Sequence, residues 1–282
     1  MDREKTKFLA ELKELGPTLT AYVSTNGAQW AIKGFVDVDQ NVYTLSFDTK
    51  LISKILEIQL FPKLLDFADS IGYAIVLAEK QNWYPDLSFV KKSDRSIKFA
   101  LDIKTTSRLD GYDGFCNGFT LGSHGEYFRE RTSTKNVQFP YGAYKAPIAL
   151  GILYTRACSA DVDATKVRRI TELTSITSVI GNLSFFVEEK WKIASDRGGG
   201  NTANIGSINY IPDLLSGNGV FANLGEDLFD EYWINQGVLQ VPDPKQPGKF
   251  KKLTKLTEFP EFKGMNTALV NTCKPMRKTR TS

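Results

Sequence analysis

Pro85-Asp86 is followed, sixteen residues after that aspartate, by Asp102-Ile103-Lys104, which closes the alternating run Lys98-Phe99-Ala100-Leu101-Asp102-Ile103-Lys104. A strand repeats every two residues, so Phe99, Leu101 and Ile103 face one way and Asp102 and Lys104 the other. If the strand containing Leu87, Phe89 and Val90 pairs alongside, Asp86 at its start brings a second carboxylate to Asp102. Carboxylates are hard oxygen ligands suited to magnesium, which takes few protein ligands and keeps several waters. Such a site polarises a phosphoryl oxygen and activates water, and Lys104 can stabilise developing negative charge or position the attacking water. Phosphodiester hydrolysis is the natural use. Taken alone, both motifs are short, and D-x-K more often describes a surface ion pair on a half-exposed strand.

The elements around these residues are legible at low resolution. Residues 3 to 15 read as an amphipathic helix with Phe8, Leu9, Leu12 and Leu15 near one face, ended by Gly16-Pro17. Gly34 to Phe47 reads as a hairpin turning at Asp39-Gln40-Asn41. A helix is expected from Thr49 to Leu60, with Asp48 as N-cap and Pro62 ending or kinking it. Strands follow near 87–90, 98–104, 148–154 and 183–187, and the glycine-containing stretch Ser107 to Phe119 reads as a loop.

The neighbourhood of the two motifs resembles the EcoRV-type restriction endonucleases, members of the PD-(D/E)xK nuclease group. The resemblance is carried in family order by Asp48-Thr49-Lys50, Gln81-Asn82-Trp83-Tyr84-Pro85-Asp86, Ala100-Leu101-Asp102-Ile103-Lys104-Thr105-Thr106, Thr120-Leu121-Gly122 and Thr134-Lys135-Asn136. It continues through Tyr154-Thr155-Arg156, Lys190-Trp191 and Gly200-Asn201-Thr202-Ala203-Asn204-Ile205-Gly206-Ser207. It implies an α/β (α+β) restriction-endonuclease-like core, a mixed central β-sheet flanked by helices, with a small dimerisation subdomain. The implied organisation is a nuclease domain over residues 1–240, with dimerisation elements near 33–47 and 168–182, and a basic extension over 241–282.

Carried over by position, the resemblance makes Asp86 and Asp102 metal-binding carboxylates, Lys104 the catalytic lysine, and Glu57 a further acidic residue near the metal. Read without it, Glu57 is equally a solvated helix position. The DNA-facing residues would be Gln81 and Asn82 on the minor-groove side, the recognition loop Gly198, Gly199, Gly200, Asn201 and Thr202, together with Lys50, Thr105 and Thr106. Glycines let the backbone approach a base closely, and Asn and Thr can exchange hydrogen bonds with base edges. The glycine loop is one residue shorter than the family pattern, Gly199 stands where a serine is expected, and Lys80 replaces a glutamine. The implied activity is a homodimeric type II restriction endonuclease cutting double-stranded DNA with magnesium and leaving 5′-phosphate ends. Gly200, Asn201 and Thr202 fit a GATATC-like palindrome, while the loop departures leave the target open. Such an enzyme implies a cognate DNA methyltransferase as genetic partner and a bacterial cytoplasmic setting. A repair or mobile-element nuclease on the same core, or a noncatalytic DNA-binding protein, are the alternative readings.

Composition is compatible with this and bounds it. A chain of 282 residues can bury a sizeable core as one large domain or two small ones. No stretch approaches the roughly 20 apolar residues of a membrane span, and the opening Met1-Asp2-Arg3-Glu4-Lys5 lacks a following secretory apolar stretch, so a soluble, non-exported protein is expected. Cys116, Cys158 and Cys273 are odd in number and widely spread, which argues for a reducing compartment and against a zinc knuckle. The single histidine, His124, leaves little room for histidine catalysis, and its segment is either an ordinary loop or a phosphate contact. The net charge of +4 hides an asymmetry: residues 241–282 hold ten Lys or Arg and three Asp or Glu, which leaves −3 for the first 240. DNA affinity must therefore come from a local groove or from the tail, because cations that neutralise phosphates dominate nonspecific binding. Val241 to Gly248 looks like a linker and Thr272 to Ser282 like a disordered basic tail.

Overall fold

The computed structural model describes residues 2–25, 28–80, 82–199, 203–259 and 267–278. In chain order the elements are α1 (Arg3–Glu14), α2 (Gly16–Val23), β1 (Gly34–Val36), β2 (Asn41–Thr44), α3 (Thr49–Ser70), β3 (Tyr73–Leu77), β4 (Leu87–Lys91), β5 (Lys98–Ser107) and β6 (Thr120–Ser123). They continue with α4 (Glu126–Arg129), β7 (Pro147–Arg156), β8 (Val167–Arg169), β9 (Ile180–Glu189), α5 (Lys190–Ile193), β10 (Ala194–Gly198), β11 (Asn204–Ser207), α6 (Ile211–Ser216), α7 (Glu226–Asn235), β12 (Gln240–Pro242) and β13 (Phe250–Lys252). The central sheet is mixed, in the order β3-β4-β5-β7-β9, with β5 and β7 parallel and the other pairs antiparallel.

The period-two reading of β5 decides where the two cores lie. Phe99, Leu101 and Ile103 enter an apolar cluster with the buried stripes of α1, α2 and α3, where the Phe8 and Phe99 rings stack at 4.2 Å. Ala100, on the opposite face, joins a second cluster with Ala149, Leu153, Phe186 and the α7 residues Phe229, Tyr232 and Trp233. The sheet is thus covered on both faces, and Asp102 and Lys104 project into the second layer. Gly151, paired with Lys104 across β5 and β7, has no side chain because the Phe186 ring lies where a Cβ would be, at 2.0 Å.

Three local expectations are corrected. Gly16-Pro17 ends α1 but also starts α2, Pro occupying the helix's first turn, where its missing N–H costs nothing. Asp48 does cap α3, accepting from the Leu51 N–H at 2.8 Å, but Pro62 lies inside this helix, which runs to Ser70. The carbonyl Pro62 leaves unbonded belongs to exposed Ile58, while Leu56, Leu60, Leu64 and Phe67 remain buried around it, so tertiary burial outweighs the local break. Finally, Val241 to Gly248 is no linker: β12 and β13 form a hairpin, and Val241, Leu253, Leu256 and Phe259 are buried in the second core. The second core therefore extends past residue 240.

The hairpin at 34–44 forms with the expected turn, Asp37 accepting from the N–H groups of Asp39 and Asn41, and β8 adds a third strand beside β2. Among the described residues, no helix is long and apolar enough to cross a membrane.

Candidate active site

β4 and β5 pair antiparallel with Leu87 opposite Leu101, so one further step of the register sets Asp86 opposite Asp102. The two residues then clasp through the backbone. Asp86 N–H donates to Asp102 Oδ1 at 3.2 Å, and Ile103 N–H donates to Asp86 Oδ2 at 2.8 Å. Alternation puts Lys104 on the face of Asp102, and its ammonium stands 3.3 Å from Asp102 Oδ2. The preceding Tyr84-Pro85 peptide is cis, and Tyr84 is fixed on both sides, donating to Asn136 O at 3.0 Å and accepting from Gln138 N–H at 2.8 Å.

The three groups line a cleft of about 660 Å³, walled on one side by Asn82, Trp83 and Tyr84 and on the other by the β6 end and α4. Asp102 is 3% exposed, whereas Asp86 stands exposed at the cleft and Lys104 is intermediate. Although Asp86 opens onto the cleft, the protein crowded around its carboxyl desolvates it and raises it to about 6, reinforced by the neighbouring Asp102 charge and opposed by Lys104. Burial pushes Asp102 the same way, but the ammonium groups of Lys104 and Lys190 outweigh it and hold this carboxyl below the ordinary range. For Lys104, desolvation is overcome by Asp102 and Asp86, so its charged form is favoured. One carboxylate is thereby held as a firm anion, while its partner is ionised at neutral pH and takes up a proton as pH falls through about 6.

Lys190 is the residue that sequence reasoning missed. It begins α5 directly after the long strand β9, donates to Asp102 Oδ2 at 2.6 Å, and lies with its ammonium 4.4 Å from the centre of the Tyr84 ring. Both side chains of the pair are 4% exposed. Lys190-Trp191 carries part of the family resemblance, but nothing in that segment links Lys190 to Asp102, and only β9 pairing with β7 carries its end back to the site.

Glu57 is not among the cleft-lining groups; it pairs with Lys54 at 2.7 Å, although its charge still disfavours that of Asp86. Among the described residues, no group of three or more His, Cys, Asp or Glu side chains is gathered as for a metal. Thr106 shares the face of Lys104 but is buried, its hydroxyl donating to Asn117 O at 2.6 Å; Thr105 is half-buried. Lys50 is exposed in the first turn of α3, outside the cleft lining. Asn82 is exposed on the cleft wall. Gly198 and Gly199 close the β10–β11 hairpin, Gly199 N–H donating to Asn204 O at 2.8 Å. A Cβ at Gly199 would sit 3.0 Å from Thr120 Cγ2, so the smallest residue fits there. Gln81, Gly200, Asn201 and Thr202 lie outside the described residues. His124 is 4% exposed, 5.1 Å from the Trp233 ring, with burial disfavouring its charged form, which suits packing and not a phosphate contact.

The family model described as Restriction endonuclease EcoRV matches residues 26–264. The chain belongs to the EcoRV restriction-endonuclease family. It is similar to the Type II restriction enzyme EcoRV of Escherichia coli, 34% identical over 209 residues that cover 73% of this chain and 82% of the relative. As an EcoRV-like homologue it falls in the class of type II restriction endonucleases, the site-specific deoxyribonucleases. The mixed sheet flanked by helices is the architecture expected of that class.

Proposed function

We propose that this EcoRV-family protein is a homodimer that hydrolyses phosphodiester bonds of double-stranded DNA at a short palindromic site with magnesium, through Asp86, Asp102 and Lys104. The observation that carries the reading is the clasp of Asp86 and Asp102 beside Lys104 on the floor of an open cleft.

The donor set fits a magnesium ion. Two carboxylates are enough for an ion that fills its remaining positions with water and phosphate oxygens, and the raised Asp86 carboxyl marks a place where negative charge awaits a positive partner. Asp86 and Asp102 would hold it, with Glu57 contributing at longer range. When bound, the ion supplies Lewis acidity toward the phosphate and a more acidic water. Asp102 stays ionised throughout and fixes the Lys104 ammonium. Because Lys104 favours its charged form, it serves as a donor that orients the attacking water and stabilises charge growing on the phosphate, rather than as the primary base.

Dimerisation is supported by the sheet β1-β2-β8, which unites the two segments expected to carry it. Phe35, Val36, Val38, Tyr43 and Val167 expose apolar side chains there, Val38 being 98% exposed. Twofold symmetry would then match a palindrome, one cluster per strand. The Gly198-Gly199 hairpin end supports base reading by the adjoining loop, and a GATATC-like site with 5′-phosphate ends is the specific form of the proposal. A cognate methyltransferase and a bacterial cytoplasmic setting follow from the same reading.

The test is cleavage of a plasmid of mixed sequence with magnesium, followed by sequencing of the fragment ends. Discrete fragments from the wild type and none from Asp102→Ala support the proposal; equal behaviour of the two overturns it. Nicking confined to damaged or branched duplexes would select the repair reading, and binding without cutting the noncatalytic one.

A further inference from the structure

Three of the four carboxylate oxygens of the Asp86–Asp102 pair already carry protein contacts: Asp86 Oδ2 from Ile103, Asp102 Oδ1 from Asp86, and Asp102 Oδ2 from two ammonium groups at once. Of those two, Lys104 is 21% exposed and reaches Oδ2 at 3.3 Å, whereas Lys190 is 4% exposed and reaches it at 2.6 Å. Lys190 is also the more confined. Tyr84 lies against its ammonium, and a Cβ at Gly122 would stand 3.4 Å from its Nζ. Burial disfavours its charged form, and Asp102, bonded at 2.6 Å, is the chief group opposing that; with both carboxylates and both ammonium groups charged, the cluster is neutral without any metal. A divalent ion entering there meets a carboxylate that is already neutralised.

We propose that Lys190 is a resident counter-ion of Asp102 that a divalent cation must share or displace, so that this lysine limits how tightly the DNA-free protein holds metal. The inference rests on the reading of Asp86 and Asp102 as metal ligands. It makes Lys190 a positioning residue: it touches neither water nor phosphate, but keeps Asp102 oriented and charge-balanced until metal and an anionic phosphate arrive together. The physical basis is competition for one oxygen. Like charges gathered in a poorly solvated site repel strongly, and an ammonium at hydrogen-bonding distance from Oδ2 occupies space on the side from which a cation would coordinate it.

The experiment is a manganese titration of the full-length protein without DNA, followed by the electron paramagnetic resonance signal of free Mn2+. Wild type is compared with Lys190→Met, which keeps the apolar stem against Tyr84, with Lys190→Gln, which keeps a donor for Asp102, and with the charge-retaining Lys190→Arg. Asp102→Asn identifies the site. The expected result is that Met and Gln tighten Mn2+ binding at the Asp102-dependent site by tenfold or more, while Arg stays near wild type. A neutral variant that remains folded, by circular dichroism and melting, yet binds Mn2+ no more tightly than wild type overturns the proposal. A merely structural lysine would lower the melting temperature without tightening metal. The nuclease reading is judged separately by wild-type plasmid cleavage, so intact cleavage with no gain in Mn2+ affinity removes the role of Lys190 alone.

Discussion

Asp86 and Asp102 are joined by their backbones as much as by their charges: the Asp86 N–H donates to Asp102 Oδ1 at 3.2 Å, and the Ile103 N–H returns a bond to Asp86 Oδ2 at 2.8 Å. The pair is therefore positioned by the β4–β5 ladder before any ligand is present, and neither carboxylate can turn away without giving up an anchored hydrogen bond. That arrangement gives the two aspartates opposite electrostatic situations and opposite predicted effects when they are changed.

Asp86→Asn should stabilise the protein at pH 8. A carboxyl raised to about 6 in the folded state, against an ordinary 3.8, binds its proton more tightly folded than unfolded. Stability from this group is present at pH values below the unfolded pKa and is lost as pH rises through about 6. The gain in melting temperature should thus be largest at pH 8 and vanish near pH 4. Equal shifts at both pH values would contradict the electrostatic assignment.

Asp102→Asn should do the reverse. Its depressed carboxyl contributes stability above the ordinary pKa of 3.8, lost as pH falls further. Removing the charge also leaves the buried Lys190 without its closest partner, a loss on the order of 3 kcal/mol for a broken buried pair. Urea denaturation at pH 7 measures it.

Cleavage should fall as pH drops through about 6, because Asp86 must be ionised to hold a cation. Higher magnesium should move the midpoint downward, since metal and proton compete for the same oxygens. A pH–rate profile at two magnesium concentrations checks the direction, and a midpoint indifferent to magnesium would place the titration elsewhere.

Lys104→Ala should lower the single-turnover rate by about 10²–10³-fold, the usual loss for one preorganised donor, with little change in DNA affinity measured in calcium. Glu57→Gln, altering a residue that pairs with Lys54 outside the cleft lining, should cost far less. Comparable losses would promote Glu57 into the site.

Gly151→Ala should destabilise the core by about 1–3 kcal/mol, because a buried Phe186 ring must move to admit a methyl group. Val38→Glu, by contrast, alters a 98% exposed side chain and should leave the monomer's melting unchanged while shifting sedimentation from twice the 31.5 kDa chain mass toward the single chain.

The alternation of β5 was sufficient to separate Phe99, Leu101 and Ile103 from Asp102 and Lys104, and the strand beginning at Leu87 was sufficient to suggest Asp86 as the partner, because strand period is a local property of the chain. The hairpin at 34–44 was legible from turn chemistry for the same reason. Pro62 was not, since the helix continues through it only because residues distant in sequence bury its apolar stripe. Nor was the C-terminal hairpin, whose Pro- and Gly-rich turn hides that Val241 and Leu253 fill the second core.

The residue types and their two-residue spacing by themselves determined that Asp102 and Lys104 stand together on one face of a strand, away from Phe99, Leu101 and Ile103. Only the tertiary structure decided the charge balance of the site, because Lys190 reaches Asp102 across 88 residues of chain and Glu57 turns toward Lys54. Periodicity is written into consecutive residues, whereas a buried counter-ion is a property of strands brought side by side, and no pattern within one segment records it.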